Sequence, residues 1–102
     1  RVAASGDDCK YLGSMLFDDI VHAAVFSPTG KVLAVAGENR SITMFVVEKD
    51  FERSSELPCA AGVRSLSWSP DSRFLAECGE NMQVSIWDVI SETVVLQLPK
   101  AG

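Results

Sequence analysis

Apolar residues in this chain gather in short runs separated by polar, turn-forming residues, and no run keeps the roughly 3.6-residue spacing of an amphipathic helix. The stretch over residues 63–89, VRSLSWSPDSRFLAECGENMQVSIWDV, shows this best. Its first run stops at Ser69-Pro70-Asp71-Ser72, where Pro70 presets φ for a type I turn and lacks the N–H that a central strand donates. Its second run ends at Gly79-Glu80-Asn81, where Gly79 and Asn81 are the residues that take positive φ most cheaply, and a third run returns from that turn. The pattern predicts three antiparallel strands joined as a meander.

The same pattern occurs once earlier, over residues 21–47, as VHAAVFSPTGKVLAVAGENRSITMFVV. Ser27-Pro28 and Ser69-Pro70, Leu33-Ala34 and Leu75-Ala76, and Gly37-Glu38-Asn39 and Gly79-Glu80-Asn81 all stand 42 positions apart without a gap. Phe26 answers Trp68 and Phe45 answers Trp87, so aromatic positions persist where identity is lost. A period of about 40–45 residues with several strands per unit points to propeller blades. Strands are expected near 21–27, 32–36, 42–47, 63–69, 74–78 and 84–88. The charged stretch 48–56 suits a connection and an exposed outer strand, and 93–98 a second outer strand. Residues 32–36 show no alternation, as expected of a strand covered on both faces by stacked blades. Val25, Phe26, Leu33, Val35, Leu66, Trp68, Leu75, Ile86 and Trp87 are the expected core between blades.

Both units resemble WD-repeat blades of a β-propeller. In the second, Trp68-Ser69-Pro70-Asp71 matches the family's inner-strand ending, Cys78-Gly79-Glu80-Asn81 its tight second turn, and Trp87-Asp88 the dipeptide that names the family. The first unit has Phe26-Ser27-Pro28 and Gly37-Glu38-Asn39 but Phe45-Val46 in place of the dipeptide. The family's Gly-His is absent, with Pro58-Cys59 and Leu16-Phe17 at those places, and Asn39 and Asn81 replace its usual Asp. The buried His–Asp network of the family is therefore not expected here. The resemblance implies an all-β fold of four-stranded antiparallel meander blades, incomplete in this chain. Residues 1–20 are read as the end of one blade, with strands at 1–5, 10–12 and 14–17, and 21–62 and 63–102 as full repeats. About two and a half blades cannot close a ring of four or more, so further blades from a longer chain or another subunit are expected.

Composition narrows the function classes. The 102 residues are 47% apolar and 23% charged, an ordinary balance for a globular domain. Nine Lys plus Arg against 14 Asp plus Glu give a net charge of −5, which disfavours a phosphate-binding surface and hence nucleic acid. No run approaches the ~20 apolar residues of a membrane span. Cys9, Cys59 and Cys78 show neither disulfide nor zinc spacing and read as small buried apolar residues in a reducing, cytoplasmic compartment. His22 is the only histidine, so neither a His-bearing triad nor a multi-His metal site is expected, nor a cofactor. Ser27-Pro28 and Ser69-Pro70 read as turn chemistry, and Trp68 and Trp87 as core aromatics.

Because the chain reverses between successive strands, the turn after each second strand and the loop into each inner strand emerge on one rim. That topology gathers Glu38, Asn39 and Arg40 near Glu80, Asn81 and Met82, with His22 and Arg64 beside them. The mixture of carboxylates, guanidinium groups and a thioether suits a protein or peptide surface. The reading that follows is a non-catalytic protein–protein interaction scaffold. The alternative is a structural part of a propeller enzyme whose catalytic residues lie outside this chain.

Overall fold

A computed structural model of the chain describes residues 20–98. Strands β1 (Val21–Phe26), β2 (Val32–Gly37), β3 (Ser41–Val46) and β4 (Glu52–Pro58) form one sheet in that order. Strands β5 (Val63–Trp68), β6 (Phe74–Gly79), β7 (Val84–Asp88) and β8 (Thr93–Leu98) form the second. Each strand pairs antiparallel with the next, so each sheet is a four-stranded up-and-down blade. The three inner strands of each blade lie within one residue of the bounds expected from the sequence, and β8 coincides with its expected range. The strands expected at 1–5, 10–12 and 14–17, together with Cys9, lie outside the described residues.

Turn chemistry explains why the meanders form where they do. In the first hairpin of each blade the serine carbonyl accepts from the residue three places on, Ser27 from Gly30 at 2.8 Å and Ser69 from Ser72 at 3.0 Å. The serine hydroxyl then accepts the N–H that opens the returning strand, Val32 at 3.1 Å and Phe74 at 2.9 Å. The second turn corrects one expectation. Positive φ falls on Arg40 (62°) and Met82 (63°), not on Gly79 or Asn81. Glycine is required there for a different reason: the Glu38 N–H bonds the Ile20 carbonyl at 3.0 Å, drawing that backbone across Gly37. A Cβ on Gly37 would collide with the Ile20 carbonyl oxygen and stand 2.8 Å from Val21 Cα.

The blades stack through β1 and β2 against β5. Ala34, Ala36, Ile42, Met44 and Leu57 of the first blade pack on Val63, Leu66, Leu75 and Trp87 of the second. All nine are buried, which accounts for the uniformly apolar composition of β2. The other face of the first blade carries a smaller cluster of Val21, Val35 and Phe45.

The expected core needs correction at its edge. Phe26 is 39% exposed. It pairs with Leu33, whose side chain joins the cluster turned away from the second blade, so Phe26 ends its strand on a face that the second blade does not cover. Val25, Leu33, Trp68 and Ile86 are half-buried, whereas Val35, Leu66, Leu75 and Trp87 are fully so. Trp68 is Phe26's counterpart on the covered face, and its indole Nε1 donates to the Val25 carbonyl at 3.3 Å across the seam. Cys59 and Cys78 are half-buried free thiols, not the fully buried residues expected.

Candidate functional site

The rim residues come from the tight turns Gly37–Arg40 and Gly79–Met82 and from the second residue of β1 and β5. Two equivalent hydrogen bonds hold those turns. The Glu38 N–H bonds the Ile20 carbonyl at 3.0 Å, and the Glu80 N–H bonds the Gly62 carbonyl at 2.8 Å. Both tie the turn to the loop entering its own blade's inner strand, so the carboxylates project from matched, pinned positions. His22 lies between them. Its Nε2 stands 3.2 Å from Glu38 Oε2 within the blade and 3.9 Å from Glu80 Oε2 across the seam. All three side chains are between 35% and 44% exposed, so the pairings are solvent-screened and contribute at most about 1 kcal/mol to stability.

The other expected rim residues divide by role. Asn81 is half-buried and engaged in its turn, its Oδ1 accepting the Gln83 N–H at 3.2 Å and its Nδ2 donating to Gln83 Oε1 at 3.1 Å. Asn39 is also half-buried. Met82 is 74% exposed at the tip. Arg40 and Arg64 are exposed and enter no ion pair among the described residues. The Arg40 carbonyl accepts the Cys59 N–H at 2.9 Å, tying the turn to the entry loop of the next blade.

Sequence reasoning missed Glu77. This carboxylate is buried in the middle of β6, where its Oε1 accepts the Trp87 indole N–H at 3.1 Å. The Cys59 thiol donates to the Leu57 carbonyl at 3.6 Å, and burial first, then the negative charge of Glu77, pushes the Cys59 pKa up to about 12. The signal available was a lone acid inside an apolar run, standing where the first unit has Val35.

The opposite rim is built for structure. Thr29 N–H reaches Ser72 Oγ across the seam at 3.3 Å. Beneath it a hollow of about 240 Å³ lies among Ser27, Thr29, Lys31, Trp68 and Ser72, smaller than the ~300–1,000 Å³ of ligand pockets. Arg73 donates to Asp88 Oδ2 through Nη2 at 3.0 Å and Nε at 3.3 Å, while Asp88 Oδ1 accepts the Ile90 and Ser91 N–H groups. The Arg73 bonds first, then those backbone donors, hold the Asp88 carboxyl below the usual carboxylate range.

Comparison with known proteins agrees with this architecture. The family signature described as WD domain, G-beta repeat matches residues 52–88. WD repeat-containing protein 1-B of Xenopus laevis is 32% identical over 77 residues, 74% of this chain and 13% of that protein. WD repeat-containing protein 1 of Gallus gallus is 31% identical with the same shares. The crystal structure of RRP9 WD40 repeats superposes on 76% of this chain and 25% of its own with a TM-score of 0.71 at 19% identity, a likeness of fold.

The chain belongs to the WD-repeat family. It spans 13% of the length of the curated relatives it matches. Cys59 stands where the family's histidine would, its thiol bonding the Leu57 carbonyl, while the Trp87 indole bonds the buried Glu77 carboxylate. The first blade has no polar counterpart to the Glu77–Trp87 bond, since Val35 and Phe45 take those places. The aspartate of the Trp87-Asp88 dipeptide serves the fold, closing the turn into β8 and pairing with Arg73. Val46, at that place in the first blade, cannot accept those bonds. There a 3-10 turn over Val47–Lys49 and two left-handed residues, Asp50 and Phe51, make the connection.

Proposed function

We propose that these blades form part of a non-catalytic protein-interaction scaffold, and that a protein or peptide partner docks on the rim carrying His22, Glu38, Asn39, Arg40, Arg64, Glu80, Asn81 and Met82. WD-repeat propellers are in general scaffolds of this kind. The observation that carries the reading is the convergence of two pinned turns from adjacent blades, which puts an exposed thioether and two guanidinium groups, unpaired among the described residues, around a cluster of acids. A rigid surface mixing apolar and charged groups of both signs suits a polypeptide better than a phosphate backbone.

The face of the second blade that carries Ala76, Cys78, Val84 and Ile86 supports a further blade as the second partner. Ile86 pairs with Leu96 and Val84 with Leu98, and both leucines are about half exposed. The equivalent face of the first blade is the one buried in the seam. Two blades do not close a ring, so this surface needs cover from a longer chain or another subunit. The free thiols of Cys59 and Cys78 suit a reducing, cytoplasmic setting. No described helix is long and apolar enough to cross a membrane.

Quantitative affinity capture with rim variants tests the docking surface. Arg64→Glu and Glu80→Lys are each expected to lose captured partners several-fold by charge reversal, with the melting temperature unchanged because both side chains are exposed. Lys31→Glu on the opposite rim is the control, preferred to an Arg73 change because Arg73 supports Asp88. Full binding by both rim variants with loss in Lys31→Glu would move the site to the other face.

A further inference from the structure

The geometry points to a binding site for one zinc-class divalent ion at the seam between the blades, with His22 Nε2, Glu38 and Glu80 as its ligands. The three donor atoms come from two blades and lie within 4.8 Å of one another. A tetrahedral ion with bonds of about 2.0–2.2 Å sets its ligand atoms roughly 3.4 Å apart. The His22–Glu38 pair, at 3.2 Å, already has that separation, the His22–Glu80 pair, at 3.9 Å, must close by a fraction of an ångström, and the two carboxylate oxygens, within 4.8 Å of each other, must close by up to about 1.4 Å. The side chains are exposed enough to make that adjustment and to leave a fourth position for water.

The frame behind the donors is fixed. Both glutamates are pinned through their own N–H groups, and the second turn is closed by Met82 N–H on the Gly79 carbonyl at 3.0 Å. Gly62 provides room for the Glu80 carboxylate, since a Cβ there would meet Glu80 Oε1 at 2.8 Å. Two carboxylates match the charge of a divalent ion, and neither pairs with a lysine or arginine among the described residues. An imidazole nitrogen among the donors selects zinc, cobalt, nickel or copper over magnesium or calcium, which take oxygen. The repeat confines the site to this seam, because the residue 42 places after His22 is Arg64, whose charge repels a cation.

Zinc titration of the metal-free protein followed by NMR of the imidazole resonances, identified by their absence in His22→Gln, tests the proposal without any docking partner. One equivalent of zinc is expected to shift those resonances, while about 1 mM magnesium leaves them in place. Zinc is also expected to raise the melting temperature of the wild type and not of Glu80→Gln, with affinity at least tenfold weaker in Glu80→Gln and in His22→Gln. Equal zinc affinity in the wild type and both variants would assign the binding to the thiols and overturn the site. An equal response to magnesium would overturn the ion class.

Discussion

The two blades offer a controlled experiment on the buried pair Glu77–Trp87, because the first blade holds Val35 and Phe45 in the same places. All four residues are buried, at 5%, 5%, 1% and 7% exposure. Trp87→Phe removes the donor that Glu77 Oε1 holds at 3.1 Å, stranding a buried acceptor and leaving a small void. That change is expected to destabilise by about 2–4 kcal/mol. Glu77→Val strands the indole N–H instead, for about 1–3 kcal/mol. Independent effects would add to roughly 3–7 kcal/mol in the double variant. The double variant, however, strands neither group and rebuilds the first blade's apolar pair, so its loss is expected to be about 1–2 kcal/mol. Urea denaturation of the four proteins by circular dichroism measures this directly, since a 2 kcal/mol difference moves the midpoint by roughly 1–2 M. A double-variant loss equal to the sum of the single losses, within about 0.5 kcal/mol, would refute the coupling and leave Glu77 with no role in holding Trp87.

Other consequences are as accessible. With its pKa pushed up from 9.0 to about 12, Cys59 is expected to alkylate about a thousandfold more slowly than a free thiol near pH 8, and Glu77→Gln should raise that rate; mass-spectrometric labelling reads both. The Asp88 carboxyl is held below its ordinary 3.8, so its stabilisation is present above that value and is lost as the pH falls through the lower folded pKa. Asp88→Asn is therefore expected to flatten the melting temperature between about pH 5 and pH 2, and an unchanged acid limb would exclude Asp88 as the cause. Thr43 is fully buried with a hydroxyl oxygen that finds no hydrogen-bond partner among the described residues, so Thr43→Val is expected to stabilise by about 1 kcal/mol, and destabilisation in thermal unfolding would show that the hydroxyl is satisfied.

Strand positions were legible because the elements that end them are local. Ser69-Pro70 and Gly79-Glu80-Asn81 act through hydrogen bonds within a few residues, and the 42-residue repeat states each boundary twice. What the repeat could not convey was the direction of each face. Phe26 and Trp68 are equivalent in sequence, yet only Trp68 meets a neighbouring blade among the described residues, so equal aromatic positions have unequal burial. The convergence of His22, Glu38 and Glu80 followed from strand reversal alone. Glu77 did not follow, because its hydrogen-bond partner Trp87 lies 10 residues ahead and the thiol whose pKa its charge raises, Cys59, lies 18 behind, and only the folded register joins them.

Shape complementarity at the seam decides how the blades stack. The first blade presents Ala23, Ala34 and Ala36 along the rows that meet the second, and the second answers with Leu66, Leu75 and Trp87. Small residues on one face admit large ones from the other, which lets the sheets approach closely. The second blade repeats the small-residue rows on its far face, with Ala76 and Cys78 at the places of Ala34 and Ala36. Under the proposal of a further blade, that face suits a neighbour offering bulky side chains of the Leu75 and Trp87 kind. A surface of identical small residues would leave gaps against it. Polar contacts at the two rims, Thr29 with Ser72 on one side and His22 with Glu80 on the other, add direction to this packing but little energy. The apolar rows carry the packing between the blades, and the exposed rim side chains contribute little to it.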